Sequence, residues 1–389
     1  MKCVHDSLAL VCALATFYGG AASARAASPP GLSGDQRCLS CHADKAGAFF
    51  QTAHAKTSAL ATAKTIHGDF SAGRNRLGTA NPQLEFFMEA QSGAFRQTAV
   101  IHTSPQTVLT RSEAFDIVVG SGRKGQTYLY WDGRDLFQLP ISYWAEIHRW
   151  VNSPGYVDGF ANFERPIEPR CLECHATAFQ SQRPPINRYV RESLVLGISC
   201  VKCHGASEEH LAQVSNALLK PITQQGGAHI LNPKKLSRER QMDLCALCHA
   251  GIGNSITPPA SYKPGDRLAD HLQFAAVDPR APIDVHANQI QLLERSRCFQ
   301  KSETMSCITC HDVHIQQRDI TAFARQCMTC HEPKQCGQFA KLGSSISTRC
   351  VDCHMPLQET SQIVSTNDGI LLRPKVRNHR IAVYKAKDE

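Results

Sequence analysis

The chain has 389 residues and a formal net charge of +8, and it contains 18 Cys and 18 His. Hydrophobic residues make up 42% of it and charged residues 20%, a balance that excludes an intrinsically disordered chain. After residue 30 no apolar stretch approaches the roughly 20 residues of a membrane-spanning helix, which predicts no transmembrane span in the mature chain.

The first 26 residues are typical of a secretory signal peptide. Lys2 begins a weakly positive region, residues 7–18 form an apolar run, and residues 24–26 offer a cleavage site of the A-x-A kind. An uncleaved membrane anchor is the alternative, but the apolar run is too short to span a bilayer. The pattern predicts a periplasmic or otherwise exported protein, and cleavage would remove two of the 18 Cys.

Fourteen of the sixteen remaining Cys fall into seven C-x-x-C-H motifs, which we number in chain order. They are motif 1 (38–42), motif 2 (171–175), motif 3 (200–204), motif 4 (245–249), motif 5 (307–311), motif 6 (327–331) and motif 7 (350–354). Zinc sites, redox dithiols and disulfide frameworks also use paired Cys, but none of them requires His directly after the second Cys. Cys298 and Cys336 are left over, and they either form a disulfide or stay as thiols.

The spacing within the motifs fits covalent attachment of haem c. Thiols at i and i+3 lie on one side of a helical turn, where both reach the same porphyrin edge, and the next residue supplies an imidazole to the iron. Such attachment takes place outside the cytoplasm, in agreement with a signal peptide. The sequence therefore predicts seven haem c groups, with each motif His as the proximal iron ligand, held by Cys38, Cys41, His42, Cys171, Cys174, His175, Cys200, Cys203, His204, Cys245, Cys248, His249, Cys307, Cys310, His311, Cys327, Cys330, His331, Cys350, Cys353 and His354.

Seven haems would also change the charge and the interior of the protein. Loss of Lys2, Arg25 and Asp6 with the signal lowers the formal charge from +8 to +7, and two propionates per haem would bring it to about −7. Nucleic-acid binding is therefore not expected. Because porphyrins are large and apolar, they would supply much of the core.

The chain divides according to the motif spacing. Residues 27–64 form an N-terminal segment with motif 1, residues 65–165 contain no Cys and are expected to be β-rich, and residues 166–389 carry motifs 2–7. The expected fold is mainly α, with irregular loops wrapped around a stacked multihaem core and a small β-rich segment at about 85–140.

Two local elements can be predicted inside the β-rich stretch. Residues 127–131 and 136–139 flank an Asp-Gly pair, which predicts a β-hairpin. Residues 141–151 place apolar side chains on one face of a helix, which predicts a short helix there.

The chain resembles multihaem cytochromes of the cytochrome c-552/c-554 kind, which are related to hydroxylamine oxidoreductases and pentahaem nitrite reductases. The pieces that carry the resemblance are residues 38–54, 169–176, 197–210, 305–314, 350–356 and 378–381. The resemblance implies closely packed haems, most of them with two axial His ligands.

Ten His outside the signal and the motifs are candidates for the second axial position. The family resemblance and the flanking residues favour His54, His210, His286, His314 and His379, followed by His229 and His148. His314 lies only three residues after His311, so we expect it to serve a neighbouring iron. His67, His102 and His271 are expected to be surface or hydrogen-bonded histidines.

Three functions are compatible with such a cytochrome. The first is electron transfer between redox partner proteins, which would be quinol-linked proteins or other cytochromes. The second is oxidation or reduction of a small nitrogen or sulfur compound at one haem with an open iron position, for which no catalytic residue can be assigned. The third is a redox or gas sensor. No motif carries the Lys of many related nitrite reductases, and aromatic residues within 126–156 could wall a substrate pocket.

Overall fold

The structure is a computed structural model that describes residues 37–217, 229–275, 283, 288–360, 364–367 and 370–384. The predicted signal peptide (1–26) and His286 lie outside these residues. Within the described ranges, no helix is long and apolar enough to cross a membrane.

The helices are short, and the longest one described has 12 residues. In chain order they are α1 (Ala43–Phe49), α2 (Pro169–His175), α3 (Cys200–His204), α4 (Glu208–Ala217), α5 (Arg238–His249), α6 (Gln289–Glu294), α7 (Arg297–Lys301), α8 (Cys307–Cys310), α9 (Ile320–Cys327), α10 (Phe339–Leu342) and α11 (Cys350–His354). Polar side chains cap several of them: Ser237 accepts a hydrogen bond at the start of α5 and Asp319 at the start of α9.

Strands occupy most of the sequence between motifs 1 and 2, and pairs of short strands follow later in the chain. They are β1 (Ser58–Leu60), β2 (Arg76–Gly78), β3 (Leu84–Gln91), β4 (Ala94–Ser104), β5 (Thr107–Ala114), β6 (Ile117–Val119), β7 (Gly125–Asp132), β8 (Asp135–Gln138), β9 (Ile141–Trp144), β10 (Arg149–Asn152), β11 (Arg165–Pro166), β12 (Ala176–Ala178), β13 (Val195–Leu196), β14 (Asn254–Ser255), β15 (Leu272–Gln273), β16 (Leu357–Glu359), β17 (Ser365–Asn367), β18 (Ile370–Leu372) and β19 (Lys375–Arg377).

Two larger antiparallel sheets form from the first eleven strands. One has the order β2-β3-β4-β5. The other has the order β1-β6-β7-β8-β11, with β9 pairing both β7 and β10. The later strands pair as β12-β13, β14-β15, β16-β19 and β17-β18.

The prediction of a mainly α protein is wrong, because helix accounts for 29% and strand for 26% of the structure. A C-x-x-C-H motif needs only one helical turn to bring its two thiols to the same side, so it does not require a long helix. The β-rich part is also larger than expected, since its strands extend from Ser58 to Pro166 rather than over about 85–140.

The predicted hairpin is present, whereas the helix predicted for residues 141–151 is wrong. Strands β7 and β8 pair with Asp132 opposite Asp135, and Gly133 takes a φ of 58° at the first loop position. Residues 141–152 instead form the hairpin β9–β10. Every residue of β9 is buried, so both of its faces lie in the interior and its sequence lacks the alternation of a half-buried strand.

The two sheets have a hydrophobic core made of protein side chains. Phe115 stacks on Tyr128 with ring centroids 4.3 Å apart, and Trp150 packs against both. The Trp150 indole N–H donates to the carbonyl of Asp69 at 2.8 Å. This cluster gives residues 58–166 an interior that contains no motif residue.

A second cluster connects the sheet to motif 2. Ile117, Leu129 and Leu136 of the sheet pack with Leu172, which lies inside motif 2, and with Ala176, which follows it. The β-rich part therefore supports the helix of motif 2 directly.

Candidate haem sites

Each motif is arranged on a tight helical turn. The His backbone N–H donates to the carbonyl of the first Cys in motif 1 (2.8 Å), motif 5 (2.9 Å) and motif 6 (3.0 Å). This turn brings the Cys at i and i+3 to one side, as attachment of both thiols to one porphyrin edge requires.

Thiols of three motifs meet in the interior. Cys174 of motif 2 and Cys248 of motif 4 are hydrogen-bonded through their side chains, and so are Cys245 of motif 4 and Cys307 of motif 5. The hydrogen bond with Cys248 lowers the pKa of the Cys174 thiol to about 7. Motif 4 is therefore in contact with both motif 2 and motif 5.

Three pairs of histidines face each other across similar gaps. The ring centroids are 6.1 Å apart in the pairs His54–His249, His204–His314 and His311–His379. Each pair combines a motif His with a His from outside the motifs.

The gap between the rings fits an iron ion with two axial imidazoles. A metal–imidazole bond is about 2 Å long and a ring nitrogen lies about 1 Å from its ring centre, so two imidazoles on one metal put their centroids about 6 Å apart. Within the described ranges no group of three or more His, Cys, Asp or Glu side chains is placed to hold a metal ion. A site with two protein ligands fits haem, because the porphyrin itself supplies four nitrogens.

Hydrogen bonds orient several of the imidazoles. Nδ1 lies 2.8 Å from the Leu231 carbonyl in His204, 2.8 Å from the Ala382 carbonyl in His354 and 3.2 Å from the Arg377 carbonyl in His379. A carbonyl only accepts, so Nδ1 must be the donor and Nε2 is left to bind a metal. In His175, Nδ1 lies 2.9 Å from the Thr57 hydroxyl.

Desolvation favours the neutral form of three histidines in these pairs. It lowers the pKa of His54 and of His379, and together with the nearby His379 and His54 it lowers the pKa of His311 to about 4. A neutral imidazole has the free lone pair that a metal ligand needs. His54, His249 and His311 retain exposed surface because they line the gaps.

The other predicted ligands are in mixed surroundings. The buried Nδ1 of His210 has no hydrogen-bond partner within the described part of the chain. An unpaired buried nitrogen is consistent with a histidine whose partner is a bound group. His229 is half-exposed and its Nδ1 lies 2.8 Å from a Glu209 carboxylate oxygen. His148 is exposed, with a φ of 53°, in the turn between β9 and β10.

The two Cys outside the motifs and one His that was not expected to bind iron also lie within the described residues. Cys298 and Cys336 are thiols that are not bonded to each other, and they lie near Cys310 and Cys350 of two different motifs. Both ring nitrogens of His271 have polar neighbours, namely Ser261 and Asp266.

The aromatic stretch 126–156 mostly forms sheet core rather than a pocket wall. Tyr128 and Tyr130 are at most 2% exposed. An open apolar cavity of about 310 Å³ lies next to this core, lined by Tyr156, Val157, Phe160 and Arg165. Arg165 is close enough to motif 2 for its charge to lower the pKa of Cys171, although burial raises that pKa overall.

One polar residue of this region, Arg170, was not among the predicted site residues. It directly precedes motif 2 and is only 9% exposed. Its position beside the first Cys was the only available signal, because the three carbonyls that it binds come from a segment about 80 residues further along the chain.

Comparison with known proteins identified one matching family model. Residues 158–205, which contain motifs 2 and 3, match the family model "Cytochrome c554 and c-prime". A comparison with curated proteins gave no match.

One solved structure matches over most of the chain. It is the undecahaem cytochrome from the S-layer of Carboxydothermus ferrireducens, with 15% identity and a TM-score of 0.38. The match covers 90% of this chain and 52% of the other, so the chain spans about half the length of that cytochrome. A TM-score of this size does not demonstrate a common fold.

The family match supports covalent haem c as the cofactor and haem-based electron transfer as the chemistry. The chain is similar to the multihaem c-type cytochromes of the cytochrome c554 kind, as its sequence indicates.

Proposed function

We propose that this protein is an exported cytochrome with seven covalent haem c groups that carries electrons between redox proteins. The observation that carries the proposal is the set of three histidine pairs with centroids 6.1 Å apart. Two imidazoles on each iron close it to small molecules, which favours electron transfer over substrate chemistry.

Each motif would hold one haem by its two thiols and its His. His54 would be the second ligand at motif 4, His314 at motif 3 and His379 at motif 5. His210, His229 and His286 remain proposed ligands for the other motifs, whereas His148 is left out because it lies in an exposed turn. Bound haem supplies reversible one-electron chemistry at its iron.

The protein around motifs 3, 4 and 5 would keep their sites close together. His311 and His314 belong to different pairs although they are three residues apart. His54 lies close enough to His311 to lower its pKa, so the pairs of motifs 4 and 5 are neighbours. Phe49 of α1 packs edge-on against His314, with centroids 6.4 Å apart, and so brings the segment after motif 1 to motif 3. A contiguous set of sites is what stepwise electron transfer needs.

The proposed function includes an exported location and protein redox partners. The N-terminal sequence and the haem attachment chemistry both favour an exported, periplasmic protein. We propose quinol-linked proteins or other cytochromes as its redox partners.

Carbon monoxide binding and a redox titration test this function. If the paired irons are closed, the reduced protein binds no carbon monoxide at motifs 3, 4 and 5, and the ferric protein shows low-spin signals for them. Full carbon monoxide binding at these motifs would contradict the proposal.

A second candidate is an oxidoreductase with one open iron. The cavity lined by Arg165, whose charge acts on Cys171, favours motif 2 as its place. In that case carbon monoxide binds at a single haem, and Phe160→Trp, which fills the cavity, weakens the binding. Unchanged carbon monoxide affinity in this variant would exclude the cavity as the entry route.

A further inference from the structure

The guanidinium of Arg170 connects two motifs that are distant in sequence. Arg170 directly precedes motif 2, and its Nη2 donates to the carbonyls of Leu247 (2.5 Å) and Gly251 (3.2 Å). Its Nε donates to the carbonyl of Ile252. Leu247 lies inside motif 4, and the other two residues lie two and three positions after its end, so one side chain binds three carbonyls in and near motif 4.

The remaining nitrogen of Arg170 acts within motif 2. Nη1 donates to Glu173 Oε2 at 3.0 Å and to Cys174 Sγ at 3.4 Å. The other carboxylate oxygen of Glu173 accepts from the backbone N–H of Ala260 at 2.9 Å. Both side chains are 9% exposed, so the charge of the guanidinium is balanced in the interior.

These contacts meet at the point where haem edges would be attached. The thiols of Cys174 and Cys248 are hydrogen-bonded to each other. Lys202 of motif 3 lies at the same junction, where it donates to the Thr177 carbonyl at 3.4 Å and interacts electrostatically with both thiols. Arg170 therefore fixes α2 against α5 where two attachment thiols touch.

A role in stability alone does not explain this choice of residue. Apolar side chains of similar volume often replace a buried ion pair without loss of stability. Arginine differs from lysine by its rigid, planar fork of five donors, and all three nitrogens of Arg170 are in use. The guanidinium contacts of Arg170 therefore hold motifs 2 and 4 at a fixed distance from each other.

We propose that Arg170 is a positioning residue that sets the separation and relative orientation of the haems at motifs 2 and 4, and with them the rate of electron transfer between these haems. The inference rests on the proposed function.

Two other arginines make related contacts. Arg238 of α5 donates to the carbonyls of Phe299 (2.8 Å) and Met305 (2.9 Å), and Met305 lies just before motif 5. Arg377 donates to the Met355 carbonyl (3.2 Å) directly after motif 7. Guanidinium contacts to carbonyls near the motifs are thus repeated in the fold.

The variants Arg170→Lys and Arg170→Gln test the proposal in the full haem-loaded protein. Lys keeps the charge and loses the fork, and Gln loses both. Arg188→Gln is the control, because Arg188 forms a two-bond ion pair with Asp135 (2.7 and 3.0 Å) in the β-rich part. Haem content is counted by intact mass, haem–haem geometry is followed by circular dichroism in the Soret band, and electron redistribution is timed after flash reduction.

We expect both Arg170 variants to have reduced exciton splitting in the Soret band and a several-fold slower redistribution step, with Arg188→Gln like the wild type. A Lys variant with full haem content, native Soret dichroism and native kinetics would overturn the proposal. If both variants lose haem, a loss confined to motifs 2 and 4 by peptide mapping supports it, and a loss spread over all motifs contradicts it. Fewer than seven haems in the wild type would instead refute the proposed function.

Discussion

At the scale of single residues, the state of each imidazole decides what it can bind. Carbonyl acceptors at Nδ1 of His204 and His379 leave Nε2 as the metal-binding atom, and burial keeps His311 neutral. The seven motifs can be recognised in the sequence because their chemistry is local, whereas the set of second ligands stays a prediction. The pairing could not be predicted, since His54 and His249 meet only in the folded chain.

Replacing His314 by Met tests the pairing with His204. Thioether ligation in place of imidazole raises the potential of a haem. We therefore expect one haem of His314→Met to titrate at higher potential and to lose its bis-imidazole signal in electron paramagnetic resonance.

His102→Met is the matched control, because His102 is exposed on strand β4. The control should leave the titration unchanged. A titration of His314→Met that overlays the wild type would remove His314 from the ligand set.

At the scale of elements, the segment that carries His54 is held by close backbone contacts. The Ile198 N–H donates to the His54 carbonyl at 3.1 Å. The Ser58 hydroxyl donates to the His175 carbonyl at 2.5 Å and accepts from the Gly197 N–H at 2.9 Å. The residues between motifs 2 and 3 therefore position His54, the second ligand that we propose for motif 4.

Gly197→Ala tests this contact. Gly197 has a φ of 72°, and an added Cβ would lie 2.3 Å from the Ala55 carbonyl oxygen. A non-glycine residue at positive φ costs about 1–3 kcal/mol, and the clash adds to this cost by displacing residues 54–58. We expect lower thermal stability and a perturbed low-spin signal for one haem.

Gly205→Ala is a close control, because Gly205 has a φ of 74° and nothing lies within 4 Å of an added Cβ. Gly205→Ala should lower the thermal stability by the cost of the positive φ alone, and its haem spectra should be native. Equal spectra for the two variants would mean that the Gly197 contact does not position His54.

Secondary structure could be predicted from sequence only where one pattern dominates. The alternation in β7 and β8 and the Asp-Gly pair predicted their hairpin correctly. In 141–151 the apolar residues Trp144, Ile147 and Val151 also fit a helix, but β9 and β10 are buried in the sheet core, and burial removes the alternation that identifies a strand.

At the scale of the whole molecule, the protein has two kinds of interior, namely the side-chain core of the β-rich part and the surroundings of the motifs. Residues 58–166 pack around aromatic side chains such as Phe86 and Trp150, as an ordinary β-protein does. The paired histidines and the converging thiols instead surround gaps that a flat apolar group would fill. The expected fold class was wrong because it treated haem as the main source of the core, and the β-rich part has a core of its own.

The central claim is that a haem is attached through two sulfur atoms at each of the seven motifs. Intact mass spectrometry of the purified protein, produced in a host that matures c-type cytochromes, tests it most directly. We expect the mass of the polypeptide plus seven haem groups, retained after denaturation because the bonds are covalent. The mass of the bare polypeptide, or of the polypeptide plus zinc, would contradict the claim.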